Sequence, residues 1–191
     1  VRYTASLLLL ALVQLSPVQA SSSGAGLPPL TITRLGELVL AGDEFDYRHW
    51  HSGRAVDKVH VLQYFPGTLS ASKTFEPFTD LLQEKYQPDS YHVTTIINLD
   101  AALWGTGGFV VSEVKKNKRR FPGATMVLDK TGDAVSAWEL GEQGVGLFIL
   151  DAQGKVHFQV HDAMSEDVQA QAAAVVSSLI SSQRGQAPPA R

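Results

Sequence analysis

The chain has 191 residues, 44% of them hydrophobic and 18% charged, which is enough for one globular domain with a sizeable core. Its formal net charge of −3 argues against a general nucleic-acid binder. It contains no cysteine, and that excludes thiol redox chemistry, disulfide bridges and zinc–thiolate sites.

At the amino end, Arg2 precedes an apolar core from Leu7 to Leu15, and Val18-Gln19-Ala20 closes it with small residues at the cleavage positions. This is the pattern of a secretory signal peptide over 1–20, followed by a Ser/Gly-rich linker over 21–26. The apolar run is too short to span a bilayer, and no lipobox exists without cysteine. The expectation is a periplasmic mature form of Gram-negative type, starting near Ser21, with no stable membrane insertion after cleavage. One domain is expected over 27–182, with a frayed tail over 183–191 that holds Pro188 and Pro189.

Leu27-Pro28-Pro29-Leu30 stiffens the entry to that domain. Thr31 to Thr33 and Leu38 to Leu40 flank Arg34-Leu35-Gly36-Glu37, which predicts a β-hairpin extension turning at those four residues. Asp46-Tyr47-Arg48-His49-Trp50 predicts a short helical turn capped by Asp46. Lys58 to Phe65 is a short run rich in β-branched and aromatic residues, as in a buried strand. Pro66-Gly67 breaks it, and Phe75, Phe78 and Leu82 recur at helical spacing. Pro77 either kinks this helix or marks its first turn.

Tyr91 to Leu99 predicts a second interior strand, Asp100 to Gly108 a loop, and Phe109 to Arg120 a helix. That helix would bury Val110, Val111, Val114 and Phe121 and show a basic outer face. Met126-Val127-Leu128-Asp129 with Gly132, and Phe148-Ile149-Leu150-Asp151 with Gly154, read as strands ending in Asp-x-x-Gly turns. Ala134 to Leu140 predicts a short helix, Val156 to His161 a returning strand, and Ser165 caps a long final helix. The order ββ, βα, βα, βα, ββ, α predicts an α/β fold: a mixed central sheet with helices on both faces.

That order and the Lys58 to Pro77 core resemble the thioredoxin superfamily, most closely its exported thioredoxin-like and peroxiredoxin-like branch. Such proteins carry an aromatic pair ending the first core strand, a Cys-x-x-Cys, a basic residue, and a proline four residues after that. Tyr64-Phe65, Lys73 and Pro77 match without a gap, and the two cysteine positions fall on Leu69 and Ser72. The superfamily's cis-proline position, counted back from Asp151, falls on Val145, where a cis bond would cost roughly 3 kcal/mol and a trans peptide is expected. The resemblance implies a three-layer thioredoxin-like fold without redox activity. Its former active-site face, comprising Tyr64, Phe65, Leu69, Ser72, Lys73 and Val145, is expected to bind a periplasmic partner protein or small ligand, with no cofactor.

Over Leu27 to about Ile180 the chain also resembles the YtfJ family of bacterial periplasmic proteins. The residues that carry this are Arg34-Leu35-Gly36-Glu37-Leu38-Val39-Leu40, Val61-Leu62-Gln63-Tyr64, Thr94-Thr95-Ile96-Ile97-Asn98 and Ser136-Ala137-Trp138-Glu139-Leu140. The family implies the same fold and a periplasmic address, and lends no established activity. A transcriptional-regulator label sometimes attached to it conflicts with an export signal.

Other candidates are weaker. His49 and His51 on a helical turn would point roughly 200° apart, unsuited to one metal. His157 and His161 on one strand face would lie roughly 13 Å apart. Thr106, Gly107 and Gly108 at a helix start could cradle an anion through backbone N–H groups, although no P-loop pattern follows. Lys115 to Arg120 reads as a solvated helix end, with an anionic docking patch as the alternative. Asp43, Glu44 and Asp46 lack calcium-loop spacing. Ser70 and Ser72 have no neighbouring His to activate them, so non-thiol hydrolysis by Asp, His or a metal is the alternative to partner binding rather than the first choice.

Overall fold

The computed structural model describes residues 24–54, 56–103 and 105–186. The signal peptide expected over 1–20 lies outside the described residues, as does the end of the tail.

The elements run β1 (Thr31–Ala41), β2 (Glu44–His51), β3 (Val59–Pro66), α1 (Glu76–Lys85), β4 (Tyr91–Asn98), α2 (Gly107–Arg120), β5 (Thr125–Asp129), α3 (Asp133–Ala137), β6 (Gly146–Leu150), β7 (Val156–Val160) and α4 (Glu166–Gln186). They form one seven-stranded sheet in the order β2-β1-β5-β4-β3-β6-β7. β3, β4 and β5 are parallel neighbours, and every other pairing is antiparallel. The chain steps from β3 to β4 to β5 in one direction, so two crossovers of the same hand place α1 and α2 on the same face.

Side chains of β3 alternate between two cores. Val59, Val61 and Phe65 join Phe78 and Leu82 of α1, Val114 of α2 and Ala172, Val176 and Ile180 of α4. Leu62 and Tyr64 face the opposite side, with Trp50, Ala134, Trp138 and Phe148. Both faces of the central strands are thereby dry, which is why they read as unbroken apolar runs. Pro77 sits in the first turn of α1, where its missing N–H costs nothing. The described residues contain no cis peptide, and the Val145 bond is trans.

Four expectations need correction. Arg34 to Glu37 is no hairpin turn: β1 runs through it with a bulge at which Leu35 and Gly36 take φ of 73° and 78°. The real turn is Gly42-Asp43, between Ala41 and its partner Glu44. Asp46 to Trp50 is strand β2, not a helical turn; pairing with β1 outweighs the local capping preference of Asp46. In α2, Lys116, Arg119 and Arg120 keep the expected basic outer face, but Lys118 is buried and Phe121 exposed. The Lys118 Nζ donates to the carbonyls of Pro122 (2.9 Å) and Ala124 (2.6 Å), satisfying backbone groups just beyond the helix end. Finally, α4 continues to Gln186, past the boundary expected at 182.

Candidate functional site

The loops after β3 and β4 lie side by side, because these parallel strands end in register with Pro66 opposite Asn98. Gly67 joins them: its N–H donates to the Asn98 carbonyl at 2.8 Å. A Cβ at Gly67 would sit 3.0 Å from that oxygen and 3.5 Å from Val110 Cγ1, so the β3 loop packs closely on the first turn of α2.

The residues expected on this face divide sharply. Tyr64 is fully enclosed, its hydroxyl donating to Asp129 Oδ2 at 3.1 Å and its ring 6.2 Å from that of Trp138. Burial, and then the Asp129 carboxylate, push the phenol's pKa well above its ordinary value. Phe65 and Val145 are buried as well. Val145 nevertheless belongs to the same end of the sheet, since Gly146 pairs with Tyr64. Leu69, Ser72 and Lys73 are exposed. They ride on a loop held by its own hydroxyls: the Ser72 hydroxyl donates to the Leu69 carbonyl (2.9 Å) and Thr68 Oγ1 accepts from Ala71 N–H (3.2 Å).

Beneath the loops, Asp129 is fully buried and collects four donors: the Tyr64 hydroxyl and the N–H groups of Thr131, Gly132 and Ala134. Asn98 Oδ1 accepts from the N–H groups of Asp100 and Ala101. These hydrogen bonds fix the ends of β3, β4 and β5 and shape the loops above them.

Beside the exposed Ser70, Ser72 and Lys73, this edge presents three large apolar side chains to solvent. Leu69 is 72% exposed, Leu103 70% and Phe109 55%, and they occupy the β3 loop, the β4 loop and the first turn of α2. The sequence pointed to Leu69 but passed over Leu103 and Phe109, whose neighbours gave no periodic signal. Thr106 begins α2 without capping it, its hydroxyl donating instead to the Leu103 carbonyl at 2.7 Å. Gly107 and Gly108 leave open space above their Cα atoms.

Elsewhere, His49 and His51 occupy alternate positions of a strand, where residues two apart share a face, so the helical argument against them lapses. Among the described residues no three His, Asp or Glu side chains gather as a metal set. His157 pairs with Asp151, Nε2 to Oδ2 at 2.8 Å. Burial raises the Asp151 pKa, but this bond and two backbone N–H groups outweigh it and leave it low. His161 packs edge-on to Phe148. On the central strands, His60 of β3 and His92 of β4 lie side by side with ring centroids 5.6 Å apart, a pair hidden in the sequence inside two apolar runs.

Comparisons with known sequences give the family, and comparison with solved structures gives the fold. Residues 22–181 match the model of a family described as "Bacterial protein of unknown function (YtfJ_HI0045)". An uncharacterized protein, YtfJ, of Escherichia coli K12 is 37% identical over 161 residues, covering 81% of this chain and 88% of that one. An uncharacterized protein of Haemophilus influenzae is 33% identical, covering 75% and 79%. Among solved structures, a candidate thiol:disulfide interchange protein DsbE from Chlorobium tepidum superposes with a TM-score of 0.55 at 17% identity, over 83% of this chain and 98% of that one. The thioredoxin domain of a thiol-disulfide oxidoreductase from Bacteroides vulgatus gives 0.53 at 11%, over 82% and 99%. At such identities the likeness is one of fold alone, and the fold is thioredoxin-like without a cysteine to act. The chain belongs to the YtfJ family of bacterial proteins.

Proposed function

We propose that this is an exported, redox-inactive thioredoxin-fold protein that binds a partner protein at the edge formed by the β3 and β4 loops. The observation that carries this reading is the gathering of Leu69, Leu103 and Phe109, all more than half exposed, on one end of the sheet. Large apolar side chains grouped this way lose little by staying solvated singly, but gain about 25 cal/mol per Å² when a partner covers them. An apolar segment of another polypeptide suits such a surface, and Lys73 beside it offers a cation to an acidic residue of that segment. The periplasmic address belongs to the same proposal and rests on the export signal over 1–20.

Hydrolytic chemistry by Asp, His or a metal has less support. The Ser72 hydroxyl is committed to the Leu69 carbonyl, and the Asp129 carboxylate is enclosed by four donors. Neither is placed to attack a substrate. The test is affinity capture from periplasmic extract with the wild-type chain and a Leu69→Asp/Leu103→Asp double variant. Both sites are exposed, so the variant should keep its melting temperature while losing a specific partner. Equal capture by both proteins would refute the edge as the binding surface.

A further inference from the structure

On the sheet face that carries Trp138, a cavity of about 260 Å³ opens at the starts of the parallel strands. Its floor holds His60 of β3, His92 and Thr94 of β4, and Thr125 of β5, and Arg54, Val56 and Lys58 wall it. Interior parallel strands normally carry apolar side chains throughout. Here two histidines and two threonines replace them at neighbouring positions. We propose that this cavity binds a small oxyanion of the phosphate or carboxylate class, held by Arg54 and Lys58 and received by the His60–His92 pair.

The geometry supplies donors in excess of local acceptors. His60 Nε2 lies 2.8 Å from Thr94 Oγ1 and His92 Nε2 lies 2.9 Å from Thr125 Oγ1; in the tautomer whose Nε2 accepts from the threonine hydroxyl, each Nδ1–H is left to donate to a further partner. Arg54 spends one nitrogen, Nη1, on Glu37 Oε2 at 2.5 Å. A guanidinium has five N–H donors in a planar fork, which leaves others for a second acceptor. Among the described residues no carboxylate pairs with Lys58.

The charges agree with this. Burial lowers the basicity of His92, and the positive charges of Lys58, Arg54 and Lys118 lower it further, against the single opposing carboxylate of Glu37. The site is thus electropositive around a neutral imidazole pair, a field that repels a metal cation and attracts an anion. An anion seated there would reverse the effect on His92 and make it more basic.

The experiment is a titration of the full chain with inorganic phosphate and, separately, with acetate. Both are run at constant ionic strength held with chloride and followed by NMR of the histidine side chains. Expected are saturable shifts at His60 and His92 with a rise in the pKa of His92, and an affinity weakened about fivefold or more in Lys58→Gln. Arg54→Gln is the second variant and should weaken it similarly. Saturation by phosphate alone assigns a phosphate ligand, by acetate alone a carboxylate, and by both a general oxyanion site. If neither anion gives saturable shifts at these two histidines, or if both variants bind as tightly as the wild type, the proposal is overturned.

Discussion

His60 is the residue through which this fold should feel acid. It is 7% exposed on a central strand, hydrogen-bonded to Thr94 and set edge-on to His92. Burial, followed by the nearby His92, lowers its pKa from the ordinary 6.5 to about 3. A histidine that stays neutral in the folded chain but takes a proton when unfolded stabilises the protein fully above pH 6.5, and that contribution is lost as pH falls toward 3. Each pH unit below the unfolded pKa removes about 1.4 kcal/mol, so at about pH 5 the loss from His60 alone is about 2 kcal/mol. The lowered pKa of His92 acts in the same direction.

The assay is urea unfolding followed by tryptophan fluorescence, at about pH 7.5 and again at about pH 5, in a phosphate-free buffer. His60→Gln preserves a hydrogen-bonding group for Thr94 and removes the titration. The wild type should lose about 2 kcal/mol more than the variant over that interval, whatever their difference at the higher pH. Parallel losses would refute the reasoning, because the acid sensitivity would then have to come from other groups.

Two further substitutions test the corrected fold. Gly36→Ala places a Cβ 2.2 Å from the Arg48 carbonyl oxygen at a φ of 78°, so β1 and β2 must separate; a loss of about 3 kcal/mol or more is expected in thermal unfolding, and an unchanged midpoint would contradict the bulge. Lys118→Ala removes two hydrogen bonds beyond the end of α2 and should cost about 2 kcal/mol, whereas Lys116→Ala, on a solvated 3.6 Å ion pair, should cost less than about 0.5 kcal/mol by the same measurement.

Where one physical force dominated, the sequence was readable. Strands β3 and β4 are covered on both faces, so their residues had to be apolar almost throughout, and their boundaries followed from Pro66-Gly67 and from Tyr91. The Asp129 turn was legible because its side chain does locally what the motif implies, accepting from Thr131 and Gly132 N–H while Gly132 takes a φ of 68°. The hairpin was misread because Leu35-Gly36 has the backbone of a turn without reversing the chain. Only pairing with both β2 and β5, invisible locally, reveals a bulge. In β2, Phe45 and Tyr47 pack on one core and Trp50 on the opposite one, spoiling the period of two that would have marked a strand. Lys118 looked solvated because it stands among five other polar residues, and its acceptors appear only when the chain turns back at Pro122.

The apolar edge gains its meaning from what lies under it. In a binding surface built from flexible loops, ordering each side chain and its backbone would consume much of the contact energy. Here the Gly67 N–H is bonded to Asn98, Asn98 holds the start of its own loop, and Asp129 holds Tyr64 to the turn that leads into α3. Leu69, Leu103 and Phe109 therefore project from a base already fixed by strand ends, and their burial by a partner would cost little further ordering. Under the proposed reading, the same closure favours binding over chemistry. Asn98, Asp129, Thr68 and Ser72 are consumed in holding the loops in place, which leaves Leu69, Leu103, Phe109 and the Lys73 ammonium to face solvent.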